Sequence, residues 1–260
     1  MRIFSVIGNP IVHSKSPRMH NNAIALFNEN AVYTRYLLQD GKNLKKILLS
    51  FDGANITIPF KEIACEIADF KDESVIKIGS ANTLVVKNGL VYAYNTDYLG
   101  FLKAIEKFIN AKSALILGAG GTAKALVYAL ENKNIELLVA NRSSYRFKDF
   151  FNYECCLYEN IPLHRQFDLV INTTSAGLND ENLPCSKFIL ENIFKKSSFA
   201  FDVIYGKETP FLKLAKENNL QVKDGTDMLL WQGVYAFEIF FNQHDQEKIY
   251  KAMYEALYMY

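Results

Sequence analysis

Lys61 directly follows the run N-I-T-I-P-F, in which Ile56, Ile58 and Phe60 read as one side of a short buried strand closed by Pro59. A lysine there is either the first solvated residue of a helix, balanced by Glu62, or a group held at the mouth of a pocket. Cations are disfavoured at a helix N-terminus, where the dipole is positive, so a lysine held there is suited to hand on a proton. Other polar residues lack an obvious folding duty. In H-S-K-S-P, Ser16 before Pro17 reads as a helix N-cap, which leaves Ser14 without a role. Asn82 stands in G-S-A-N-T, and Asn95 and Asp97 in N-T-D suit a turn with Asp97 capping the next helix. Gln232 lies in an aromatic-rich helix, facing either water or a site. His13 and His20 have no acidic or thiol companion at ligand spacing, so no metal is expected.

A second constellation is A-L-I-L-G-A-G-G-T-A-K-A, residues 114–125. A hydrophobic strand ends at Gly118, and Ala119, Gly120, Gly121 and Thr122 lead into a helix with Ala123 at the third small position of a G-x-G-x-x-A pattern. Gly118 permits the tight turn, Gly120 lets backbone amides approach a pyrophosphate, and Ala123 lets helix and strand pack closely. A dinucleotide site is expected here, with the helix N-terminus facing the phosphates. The next strand ends in Asn141, Arg142 and Ser143, with Arg146 close behind, where an NAD site usually presents an acid. Two guanidinium groups and no carboxylate favour a 2′-phosphate, hence NADP. Asn172, Thr173 and Thr174, after a later strand, either line the same cleft or close a turn with their side chains.

The elements that must position these residues follow from the hydrophobic pattern. Strands are expected at 3–8, 33–38, 54–59, 114–119, 137–142, 168–174 and 199–205, separated by amphipathic helical stretches. That alternation predicts right-handed βαβ crossovers and parallel sheets. Residues 82–95 interrupt it with a hairpin about Asn88-Gly89, which suits a sheet edge near a domain border. Two α/β units are expected, the first about 1–98 and the second about 99–229, with two helices in the last 30 residues.

Bulk properties exclude several classes. Lys plus Arg is 29 and Asp plus Glu is 28, so nothing favours a nucleic acid or anionic membrane as partner. No apolar run reaches the roughly 20 residues of a membrane helix, and the N-terminal segment is too short in apolar residues for a secretory signal. The four cysteines show no zinc or disulfide spacing, which points to a reduced, cytoplasmic protein.

The segments GNPIVHSKSPRMHN, GANITIPFKE, IGSANTL, YNTDYLGF, LGAGGTAKA, ANRS, INTTSAGL, DVIYGKETPF and DGTDMLLWQ, in this order, resemble the shikimate dehydrogenase family over nearly the whole chain. The resemblance implies reversible NADPH-dependent reduction of 3-dehydroshikimate to shikimate, in aromatic amino-acid biosynthesis. Carried over by position, Ser14 and Ser16 hold the substrate carboxylate with Thr57 and Tyr205 as neighbours, and Lys61 and Asp97 are the catalytic pair. Asn82 is a ligand of the ring hydroxyls and Gln232 a further substrate contact. On the cofactor side, Gly118, Ala119, Gly120, Gly121, Thr122, Ala123, Asn141 and Thr173 form the dinucleotide cradle. Arg142, Ser143 and Arg146 take the 2′-phosphate, and Gly225 and Met228 line the nicotinamide end.

For Gln232 to reach the substrate, the tail must return to the first unit. The substrate domain is then expected to comprise 1–98 plus 230–260, and the Rossmann-type NADP domain 99–229, separated by a cleft that can close. The resemblance leaves monomer or homodimer open. Three departures stand out: Gly206-Lys207 where Asn-Pro is frequent, Phe60 where His or Tyr is common, and Ser143 in place of threonine. The rival readings are a quinate or dual quinate/shikimate dehydrogenase, a non-catalytic NADP or shikimate sensor, and a folate dehydrogenase of related architecture. Lys61 and Asp97 together argue against a sensor, which needs no proton relay, and the serine pair has no purpose in the folate enzyme.

Overall fold

The computed structural model describes residues 1–108 and 110–258. Contacts divide the chain into two compact units, Met1–Gly100 with Leu230–Tyr260, and Phe101–Leu229. The first holds β1 (Arg2–Gly8), α1 (Ser16–Leu26), β2 (Ala31–Leu37), α2 (Leu44–Leu48), β3 (Gly53–Ile56), α3 (Lys61–Ile67), β4 (Phe70–Lys71), α4 (Glu73–Ile78), β5 (Thr83–Lys87) and β6 (Leu90–Tyr94). Helix α5 (Asp97–Ala104) leads the chain out of it. The second holds β7 (Ser113–Leu117), α6 (Gly121–Glu131), β8 (Glu136–Asn141), β9 (Glu154–Leu157), β10 (Leu169–Asn172), α7 (Lys187–Phe194), β11 (Phe199–Asp202), α8 (Pro210–Glu217) and β12 (Gln221–Lys223). Helix α9 (Thr226–Phe241) begins there and ends in the first unit, where α10 (Gln246–Tyr258) follows.

The first sheet has the order β2-β1-β3-β5-β6-β4. β1 pairs parallel with β2 and β3, whereas β5 runs antiparallel to both β3 and β6. With these directions the carboxyl ends of β1, β3 and β6 and the amino end of β5 all meet at one sheet edge. The hairpin turns at Asn88 and Gly89, both at positive φ, 53° and 75°, as the Asn-Gly pair demands. It is not the sheet edge expected from sequence: two-residue β4 pairs beyond it with β6. β4, β9 and β12 are all short, and none carries the long apolar run by which the other strands are recognised.

Helix α1 is closed over by the C-terminal tail. Asn22 Nδ2 donates to the Ala252 carbonyl at 2.7 Å, and a Cβ on Gly233 of α9 would meet Met19 Cε at 3.0 Å and Met253 Sδ at 3.1 Å. The tail therefore completes the core of the first unit on the α1 side.

The second sheet runs β12-β11-β10-β7-β8-β9, entirely parallel. Counted from its own first strand, this is the doubly wound order in which the chain reverses direction between β7 and β10. Ligands of such sheets bind outside the carboxyl ends at that reversal. Among the described residues no helix is long and apolar enough to cross a membrane.

Candidate active site

β3 ends at Ile56, earlier than the sequence pattern suggests. Ile56 and Phe60 are buried as expected, but Ile58 is 45% exposed, because the chain turns at Ile58 and Pro59, closed by the Phe60 amide donating to the Thr57 carbonyl at 3.0 Å, instead of continuing as a strand. That turn delivers Lys61 as the first residue of α3 at the shared sheet edge. Across the edge, Asn95 Oδ1 accepts from the Asp97 amide at 3.1 Å and so closes the turn after β6. Lys61 Nζ donates to Asp97 Oδ2 at 2.6 Å, with the two side chains only 13% and 7% exposed. Of the two readings of Lys61, the solvated helix start is thereby excluded.

Asn82 is the hub of this corner. Its amide donates to Asp97 Oδ1 and Thr96 Oγ1, each at 2.9 Å, and to Gln232 Oε1 at 3.4 Å. Its own Oδ1 accepts the Thr96 backbone amide at 2.7 Å, which decides the orientation of the side-chain amide. Gln232, 9% exposed, faces this cluster and not water.

Behind it lies a buried chain that sequence reasoning missed. Tyr33 Oη donates to Asn55 Oδ1 at 2.6 Å, Asn55 Nδ2 donates to Thr83 Oγ1 at 3.0 Å, and Thr83 Oγ1 donates to Asn82 Oδ1 at 3.2 Å. A buried Asn inside a hydrophobic strand was the available signal.

His20 stacks on Tyr33 with ring centroids 4.2 Å apart, and neither of its ring nitrogens has a hydrogen-bond partner. Burial pulls its imidazole down to about 3, so it is neutral in the native state. The unfolded chain takes up a proton near pH 6.5 that the native chain refuses, so stability falls as pH drops below that value. Between pH 7 and pH 5 this amounts to about 2 kcal/mol. Asp202 in the second unit acts with opposite sign, since burial pushes its carboxyl up to about 6 and the native state gains as pH falls through that value. Urea unfolding of wild type and His20→Phe at the two pH values separates them. The variant should lack the 2 kcal/mol acid loss, and an identical pH response in both proteins would refute the assignment.

The loop after β1 carries the serine pair. Ser16 opens α1 rather than capping it: the cap position is Lys15, and no side chain caps the helix. Instead the Ser16 amide donates to Ser14 Oγ at 3.3 Å. Thr57, at the carboxyl end of β3, lies against the Gly8 end of β1, where a Cβ on Gly8 would meet Thr57 Cγ2 at 2.3 Å. Ser14, Ser16, Thr57, Lys61, Asn82, Asp97 and Gln232 thus all belong to the first unit.

In the second unit, Gly118 sits at φ 108°, and a Cβ there would lie 2.5 Å from Thr173 Oγ1, which donates to the Leu117 carbonyl at 2.8 Å. The glycine turn and the Asn172–Thr174 segment therefore flank the reversal point between β7 and β10. The turn reading of that segment is seen directly: Asn172 Oδ1 accepts from the Thr174 amide at 3.0 Å and closes the turn after β10. Gly120 has no atom within 4 Å of its would-be Cβ, leaving open space before α6.

At the end of β8, Asn141 Nδ2 donates to the Ser143 carbonyl at 2.9 Å and Arg142 is exposed. Arg146 lies 3.7 Å from Asp149, which also pairs with Lys124 at 3.2 Å. These residues fit a dinucleotide with a 2′-phosphate: the turn would be filled by a side chain at Gly118, space is open at Gly120, and guanidinium groups stand where the ribose acid of an NAD site would be.

Tyr205, Gly225 and Met228 also belong to the second unit. The Tyr205 loop is organised by Asp202, another residue missed from sequence, whose carboxylate accepts from Thr209 Oγ1 at 2.7 Å, the Ile204 amide at 3.0 Å and Asn172 Nδ2 at 3.1 Å. The acid interrupting F-A-F-D-V-I was its signal. Among the described residues no group of three His, Cys, Asp or Glu side chains could hold a metal ion.

A doubly wound sheet with a glycine turn at its reversal point, and a half-buried lysine paired with a buried aspartate on the other α/β unit, define a nucleotide-dependent dehydrogenase class. Comparison with known proteins narrows it. Residues 6–84 match the shikimate dehydrogenase substrate binding domain, residues 102–182 match shikimate / quinate 5-dehydrogenase, and residues 225–258 match the shikimate 5′-dehydrogenase C-terminal domain. The shikimate dehydrogenase (NADP(+)) of Helicobacter hepaticus is 44% identical over 246 residues, covering 92% of this chain and 91% of that protein. The enzyme of the same name from Helicobacter pylori strain P12 is 43% identical, with 92% of each chain covered. Among solved structures, shikimate dehydrogenase from Aquifex aeolicus matches with TM-score 0.87 at 33% identity, covering 100% of this chain and 98% of that one. The Thermus thermophilus enzyme in complex with NADP(H) and shikimate matches with TM-score 0.83 at 30% identity, covering 98% and 100%. The chain belongs to the shikimate dehydrogenase family.

Proposed function

We propose that this chain reduces 3-dehydroshikimate to shikimate with NADPH, reversibly, using Lys61 as the acid/base. The observation that carries this reading is the 2.6 Å contact of Lys61 Nζ with Asp97 Oδ2, held from behind by Asn82. In the reducing direction the Lys61 ammonium donates its proton to the oxygen of the substrate ketone, and in the reverse direction the amine takes the proton from the alcohol. Asp97 holds the ammonium and, with Asn82, supplies acceptor and donor positions for neighbouring ring hydroxyls. Ser14 and Ser16 receive the carboxylate, beside Thr57, with Tyr205 and Gln232 as further substrate contacts. When bound, the nicotinamide cofactor supplies the hydride.

The first unit is thus the substrate domain and the second the NADP domain. Gly118 to Ala123, Asn141 and Thr173 hold the dinucleotide, Arg142, Ser143 and Arg146 take the 2′-phosphate, and Gly225 and Met228 line the nicotinamide end. Cysteines without zinc or disulfide spacing suit a reduced cytoplasm.

Initial rates with shikimate or quinate, each with NADP+ or NAD+, test the reading. Shikimate with NADP+ should dominate; faster quinate turnover with NAD+ would overturn it. Arg142→Ala should raise KM for NADP+ about ten- to a hundredfold, the range for losing a hydrogen bond to a charged group, and leave KM for NAD+ unchanged. Equal effects on both cofactors would remove Arg142 from the phosphate site.

A further inference from the structure

Arg35 lies near the carboxyl end of β2, on the same strand face as Tyr33 two residues earlier. Its Nε and Nη2 donate to the main-chain carbonyl of Ser14 at 3.1 and 2.8 Å. Both arms of the fork thus close on one neutral oxygen in the loop between β1 and α1. Among the described residues Arg35 has no ion-pair partner, so its charge is not neutralised by a carboxylate. Ser14 Oγ accepts the Ser16 amide, and among the described residues neither serine hydroxyl donates a hydrogen bond. Both protons are therefore available to an incoming acceptor, in a loop whose backbone is pinned by a cation.

We infer that Arg35 is the positioning and specificity residue of the carboxylate subsite, acting through Ser14 to favour an anionic substrate over its neutral analogue. The inference rests on the reading of Ser14 and Ser16 as the carboxylate-binding pair. The guanidinium does not touch the carboxylate. It holds the Ser14 peptide in one orientation, polarises it, and places an uncompensated positive charge one residue behind the two hydroxyls. A carboxylate between two neutral serines would otherwise leave water with little charge to meet it, and buried or half-buried anions need such compensation. Arg35 and Lys15 are both exposed and so both partly screened, but Arg35 is fixed on the Ser14 carbonyl by two hydrogen bonds, whereas the Lys15 side chain makes none among the described residues. Arginine suits the task because its planar fork can grip one oxygen with two N–H groups while its charge stays fixed at every working pH.

The test compares wild type, Arg35→Met, which keeps much of the apolar stem, and Arg35→Lys, with shikimate and with its neutral methyl ester, read as substrate or, at low turnover, as a competitor of shikimate. Arg35→Met should raise KM for shikimate about five- to tenfold, as expected for loss of one partly screened charge at this range, with kcat within twofold. Its constants for the ester should match wild type, and the rise of the wild-type shikimate KM with salt should flatten. Arg35→Lys should fall between the two, keeping the charge without the fork. Equal losses for acid and ester, or none for either, would overturn the proposal. Ser14→Ala tells the two readings apart. If it discriminates acid from ester while Arg35→Met does not, the serine reading stands and the Arg35 role falls; if neither discriminates, both fall.

Discussion

Lys61→Ala is expected to lower kcat for shikimate oxidation by about 10²- to 10⁴-fold, the range for losing a positioned general acid or base, with KM for shikimate changed only a few-fold. The split follows from the site. In the proposed mechanism Lys61 meets the reacting oxygen, whereas the groups read as holding the substrate, the serine pair and Asn82, sit on other elements and remain in place. Asp97 keeps its hydrogen bond from Asn82 in the variant, so the corner is not left with a wholly unpaired carboxylate. Lys61→Arg sharpens the test. It preserves positive charge beside Asp97 but cannot release a proton at neutral pH, so it should lose nearly as much kcat as the alanine. If Lys61→Arg retained most of the activity, the lysine would be an electrostatic anchor and not the proton donor. If Lys61→Ala stayed within tenfold of wild type, the proposed mechanism would be wrong.

The second large effect is on stability. Gly225→Ala should destabilise the protein by about 3 kcal/mol or more, or leave it insoluble, because the added methyl would lie 2.2 Å from the Val203 carbonyl oxygen and 2.7 Å from its carbon. Those are backbone atoms, and they cannot step aside as a side chain can. The approach is held from both directions, since the Gly225 amide donates to the Ile204 carbonyl at 3.0 Å and Asp224 accepts from the Gly206 amide at 3.0 Å. The same substitution at Gly120, where a Cβ meets nothing within 4 Å, should shift stability by less than about 1 kcal/mol and act instead on NADP+ affinity. Urea unfolding and cofactor titration of both variants check the pair. A Gly225→Ala protein as stable as wild type would mean the loop can open without cost.

The two glycines show where sequence reading reaches its limit. Gly118 and Gly120 were legible because a hydrophobic strand, a glycine spacing and a helix are all local, even though Thr173, from a distant segment, also closes on Gly118. Gly225 was legible only through the family resemblance, since its need for no side chain comes from Val203, on a segment more than one element away. Ile58 failed for a related reason. Alternation predicts a strand through residue 59, but a turn at Ile58 and Pro59 ends it after Ile56 and exposes Ile58. The hairpin was read correctly at its turn, where Asn88 and Gly89 carry the positive φ values, and incorrectly as a sheet edge, because β4 has too few residues to leave a pattern.

What the sequence determined by itself is therefore the local chemistry: α/β alternation, the Asn-Gly hairpin turn, the glycine turn opening α6, and the absence of an acid after β8. These follow from backbone sterics and from the periods of strand and helix, which act over a few residues. Tertiary structure decided which polar residues meet. Asn82 and Gln232 lie 150 positions apart, and only the return of α9 to the first unit buries that glutamine beside the asparagine. Lys61 could have been a solvated helix start until the directions of β3, β5 and β6 brought it to Asp97. Arg35 reads in the sequence as one more exposed strand charge, and only the loop folded over it gives both arms of its fork to Ser14. A hydrogen bond takes its meaning from the geometry of two partners, and their separation along the chain carries no trace of it.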